Sequence, residues 1–74
     1  MYSNVDREPD IGDLVETPIG MRLFIFHTLK DEMLLSSAVI VNGAVELQFA
    51  NCKTNVNECK LIRSADGQYT SEGE

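Results

Sequence analysis

Seventy-four residues with 12 Asp and Glu against 6 Lys and Arg, a net charge of −6, make one small acidic domain, near the lower size limit for folding without metals or disulfides. A hydrophobic content of 43% is that of a globular chain rather than a disordered one, and no run approaches the roughly 20 apolar residues of a membrane helix. The acidic surplus opposes non-specific nucleic-acid binding, which draws on Lys and Arg at phosphates, and its natural complement is a basic protein surface.

Residues 1–20 hold −4 of the charge, residues 21–56 balance, and residues 57–74 hold −2. The first ten residues, with Asp6, Glu8 and Asp10 and with Pro9 imposing extended backbone on Glu8, read as a flexible acidic arm. Such a polar start is no signal peptide, so a cytoplasmic protein is expected. A single domain over 11–66 should follow, closed by a flexible acidic tail over 67–74.

Gly12 opens a short strand, Asp13 to Thr17, which Pro18 and Gly20 stop in a turn. Met21 to Thr28 is a second strand, short and bounded by glycine. On strict alternation His27 shares a face with Met21, Leu23 and Ile25, and Phe24 and Phe26 take the other face, so the strand is apolar on both sides. Thr28 to Leu35 carries a weak capping pattern and a helical Leu29–Met33 spacing. A hairpin turn at Lys30-Asp31-Glu32 is the better reading, because strands flank it.

Asn42-Gly43 is the strongest local signal. The pair supplies the positive φ angles of a two-residue type I′ hairpin between Ser36–Val41 and Ala44–Ala50. The register follows: Val41 opposite Ala44, Ile40 opposite Val45, Ala38 opposite Leu47 and Ser36 opposite Phe49. Val39 and Val41 then lie on the face away from Ile40. Asn51, Asn55 and Asn57 mark a turn or a one-turn 3₁₀ segment, Cys59 to Arg63 a last short strand, and Asp66-Gly67 a final turn.

The fold class is therefore all-β, with room for one short helix or 3₁₀ turn. Four or five short strands in so small a chain must curl to cover their apolar face and edges, so a five-stranded SH3-like barrel is expected. The early Gly-Asp-Leu-Val strand, the long middle hairpin and the short closing strand resemble such barrels in topology alone.

No residue set implies catalysis, a cofactor or a metal. His27, the only histidine, has no accompanying nucleophile and orienting partner. Cys52 and Cys59 with one distant His fit a zinc site poorly and read as small buried side chains, with a disulfide between them as the alternative. The carboxylates are scattered, and the glycines match neither a phosphate loop nor a dinucleotide fingerprint. The function expected is that of a non-enzymatic protein-binding module, an inhibitor or modulator of a larger protein, of the type found among phage and mobile-element accessory proteins. Its contact surface would join Phe24, Phe26, Val39 and Val41 to a rim of Asp6, Glu8, Asp10 and Asp13. The alternatives are self-association as a homo-oligomer, or a nucleic-acid-binding barrel using Arg22, Lys30, Lys53, Lys60 and Arg63 with Phe24, Phe26 or Tyr69 for stacking.

Overall fold

The computed structural model describes residues 1–47 and 52–71. Among these residues seven strands run in chain order, β1 (Leu14–Glu16), β2 (Arg22–Thr28), β3 (Glu32–Ser36), β4 (Ala38–Val41), β5 (Ala44–Leu47), β6 (Cys52–Asn55) and β7 (Lys60–Arg63), with a 3₁₀ turn at Val56–Glu58 between the last two. Five form an antiparallel sheet in the order β6-β3-β2-β1-β7, and β4 and β5 form a separate two-stranded ribbon. The sheet does not close, since β6 and β7 are its edges.

Each tight connection has a local cause. After β1, Thr17 and Met21 face each other across a turn in which the Thr17 N–H donates to the Met21 carbonyl (2.8 Å) and the Met21 N–H to Thr17 Oγ1 (3.2 Å). Gly20 takes φ +86° there, which favours a residue without Cβ. Between β2 and β3 the Leu29 N–H donates to the Glu32 carbonyl at 2.8 Å, so Thr28–Leu35 holds a turn and no helix. Flanking strands that can pair satisfy more backbone groups than a single helical turn would.

The ribbon has the register that its loop dictates, Val41 opposite Ala44, Ile40 opposite Val45 and Ala38 opposite Leu47. Asn42 and Gly43 both have positive φ, 51° and 80°, as type I′ requires. Ser36, expected to continue this strand, instead ends β3 opposite Phe24, and β4 starts afresh at Ala38. Phe49, its expected partner, lies outside the described residues. Cys52–Asn55, read as part of an Asn-rich turn, is strand β6, because β3 offers it a full ladder from Glu32 to Leu35.

One face of the sheet makes the core: Val15, Leu23, Ile25, Met33, Leu35 and Leu61, joined by Tyr2, Val56 and Cys59. Two bulges break the alternation. On β2 the pairing steps from Ile25–Leu35 to His27–Leu34, leaving Phe26 as an extra residue. On β7 it steps from Leu61 to Arg63 between Val15 and Leu14, leaving Ile62 extra. Such bulges bend a strand and increase its twist. The first corrects the strict alternation read from sequence: His27 is exposed and leaves the Leu23–Ile25 face, because the inserted Phe26 shifts it.

The N-terminal segment, expected as a free arm, is a strap along β7. The Ser3 N–H donates to the Cys59 carbonyl at 2.9 Å. The Asn4 side chain then accepts from the Leu61 N–H (2.9 Å) and donates to the Leu61 carbonyl (3.0 Å), as a backbone neighbour would. Tyr2 is buried in the core, and Arg7 pairs with Asp66 at 3.3 Å. Burial of the Tyr2 ring and occupation of the β7 edge outweigh the solvation that the acidic composition suggested. The tail is tied down likewise as far as Ser71, whose N–H donates to the Ile62 carbonyl at 2.8 Å. The Asp66-Gly67 turn holds through Asp66 Oδ1, which accepts from the Ser64 hydroxyl (2.5 Å) and the Gln68 N–H (2.9 Å). These donors keep the Asp66 carboxyl below the usual carboxylate range.

Candidate functional site

Residues directly opposite in a sheet share a face, so the register maps the side away from the core. One row runs Ser36–Phe24–Leu14–Arg63, a second Lys53–Leu34–His27, and a third Arg22–Glu16–Lys60. Glu32 lies opposite Asn55 beyond the second row. Phe24, Leu14, Leu34 and the bulged Phe26 are each half-buried, forming an apolar centre. Ile62 is buried although it stands outside the core cluster.

The charges divide sharply between this face and the rest. Arg22, Lys53, Lys60 and Arg63 lie on it with Glu16 and Glu32, four cations against two carboxylates and a net of +2. The chain as a whole carries −6, so the remaining residues carry −8. Arg22 pairs with Glu16 at 3.5 Å and Lys53 with Glu32 at 3.9 Å, exposed cations on half-buried carboxylates, and pairs open to solvent in this way contribute little to stability. Lys60 and Arg63 are exposed.

The residues singled out by sequence separate in space. Phe24 and Phe26 share the second face, but the expected acidic rim does not surround them. Asp6, Glu8 and Asp10 are exposed on the strap. Asp13 is internal and corrects its assignment to a contact surface: its carboxylate accepts from the Tyr2 hydroxyl (2.6 Å), the Asp10 N–H (3.0 Å) and the Ala65 N–H (2.7 Å). Those donors make it a knot between strap, β1 and the 64–66 turn, since a buried carboxylate needs such partners. Val39 and Val41 belong to the ribbon, Val39 opposite Glu46 and Val41 40% exposed. Leu14 and Leu34 were missed as members of the apolar face, and so was the position of Lys53, which follows only once β6 is known to pair with β3.

A shallow cleft of about 370 Å³ lies elsewhere, between the strap (Met1, Glu8, Pro9), the β2–β3 turn (Lys30, Asp31) and Val56. Its lining mixes both charge signs. Cys52 is half-buried and Cys59 buried, both as free thiols, and burial pushes the Cys59 thiol up. Among the described residues no group of three or more His, Cys, Asp or Glu is placed to hold a metal ion, and no helix is long and apolar enough to cross a membrane. Comparison with protein-family models, with curated proteins and with solved structures finds no match for the chain.

Proposed function

We propose that the chain is a small non-catalytic protein-binding module, an inhibitor or modulator that docks on a larger protein through the second face of its sheet. The observation that carries this reading is the row Phe24–Leu14 with Leu34 and Phe26 beside it, an apolar centre edged by exposed charges. Interfaces concentrate their energy in such aromatic anchors, and rim charges steer encounter. The rim here is cationic on balance, so the docking face fits an apolar patch with acidic neighbours. The acidic remainder of the chain would keep basic surfaces for a different side. For the fold, the order β6-β3-β2-β1-β7, the two bulges and the 3₁₀ turn before the last strand support the reading of the open sheet as an SH3-like barrel left unclosed between β6 and β7.

A second reading has its own observation. Phe24 and Phe26 lie among Arg22, Lys53, Lys60 and Arg63, the combination of stacking rings and cations that single-stranded nucleic acid uses. The −8 elsewhere works against it.

One experiment separates them. Wild type and a Phe24→Ala/Phe26→Ala variant are used to capture partners from the source cell, and both are titrated with a single-stranded oligonucleotide at two salt concentrations. A stoichiometric protein partner lost in the variant supports the docking module. Oligonucleotide binding at micromolar protein with a steep salt slope, lost in the same variant, promotes the second reading. If a folded variant keeps whatever the wild type binds, both readings fail.

A further inference from the structure

Among the described residues, every sheet edge except β4 carries a charge or a covering segment. Along β7, Asn4 takes the Leu61 N–H and C=O and Ser71 the Ile62 carbonyl, with Ser3 on the Cys59 carbonyl just before the strand. Strand β6 carries Lys53, and β5 carries Glu46. Strand β4 reads Ala-Val-Ile-Val, without charge, proline or glycine. It sits within the longest uncharged run of the chain, Met33 to Val45. Among the described residues β4 pairs with β5 alone.

The outward groups of β4 can be assigned. In a two-residue hairpin the residues flanking the loop, Val41 and Ala44, exchange both hydrogen bonds, and this alternates along the ladder. Val39 and Glu46 are the next such pair. The N–H and C=O groups of Ala38 and Ile40 therefore point away from β5, an unprotected template for another strand. A two-stranded ribbon by itself is marginal in water, and a third and fourth strand would make it stable.

We infer that β4 pairs antiparallel with β4 of a second copy of this chain across a two-fold axis, joining the ribbons into a four-stranded sheet. The edge is self-complementary. With the axis at Val39, Ala38 of each copy faces Ile40 of the other, and each such pair exchanges two hydrogen bonds. Charge selects the same place. Two copies at −6 repel over most of their surface, whereas β4 meets β4 with no charge at the contact. The nearest acids in the row, the two copies of Glu46, stand three strand spacings apart, roughly 14 Å, beyond the Debye length of about 8 Å at physiological salt. This pairing is independent of the docking face, so a monomeric result would leave that reading untouched.

The test is the solution mass of the full chain by sedimentation equilibrium. A concentration-dependent dimer is expected. Val39→Lys and Val39→Glu each set like charges opposite across the axis and should weaken the dimer about tenfold or more. Mixing the two variants should restore it as a heterodimer, which also shows that both fold. Ala38→Pro, which deletes an outward N–H and no bond to β5, should weaken it as well. A wild type that stays monomeric to about millimolar concentration, variants that dimerise as wild type, or a mixture that stays monomeric would each overturn the pairing.

Discussion

The Tyr2 hydroxyl donates to Asp13 Oδ2 at 2.6 Å inside the protein, closing the N-terminal strap onto the start of β1. Burial and the neighbouring carboxylate push the Tyr2 phenol far above its ordinary value. An unfolded chain would ionise it near pH 10, while the folded chain keeps it neutral. Its stabilisation is complete below about pH 10 and falls as pH rises further, because only the unfolded state then sheds the proton. Tyr2→Phe should cost about 1–3 kcal/mol at neutral pH by removing one of the Asp13 donors. The gap between variant and wild type should narrow above about pH 10, as read by urea unfolding across that range. A gap independent of pH would contradict the buried phenol.

Asn4 supplies β7 with the two hydrogen bonds that a neighbouring strand would give. Asn4→Ala leaves the Leu61 N–H and C=O without partners and should cost about 1–3 kcal/mol. Hydrogen exchange at the Leu61 amide should accelerate in step, and protection equal to wild type would show that the strap is dispensable.

Ile25 is fully buried at the centre of the sheet, and Phe24 beside it is half-buried on the second face. Ile25→Ala should therefore cost about 2–5 kcal/mol as a core truncation. Phe24→Ala should cost less stability despite removing more atoms. Chemical denaturation that ranks the two the other way would place Phe24 in the core.

At the ribbon, nothing lies within 4 Å of a Cβ added at Gly43, so a substitution there meets only backbone strain at φ +80°. Gly43→Val should cost on the order of 1–3 kcal/mol, felt first as faster amide exchange in Ala38–Leu47. Unchanged exchange would count against the Asn42-Gly43 turn.

The two thiols differ in access. Cys59 is fully buried and its ionisation is disfavoured by burial, while Cys52 is partly open. Alkylation followed by mass spectrometry should label Cys52 first, with Cys59 reacting at the rate of unfolding. Equal labelling would contradict the packing around Cys59.

Much of the strand pattern is local chemistry and was legible in the residues alone. Asn42-Gly43 dictates its own hairpin register, because two successive positive φ angles leave one way to pair Val41 with Ala44. Pro18 and Gly20 end β1, and the apolar run Leu23–Phe26 makes β2. The rest depended on partners distant in sequence. His27 leaves the inner face only because β3 pairs so as to bulge out Phe26. Cys52–Asn55 becomes a strand only because β3 offers an edge. Asn4 reaches Leu61 57 residues away, and Asp13, ordinary in a list of acids, is internal because Tyr2 and Ala65 arrive beside it with hydrogens to donate. Periodicity reports the backbone's local preference. A bulge, an edge or a buried carboxylate is settled by which donor and acceptor meet when the sheet assembles.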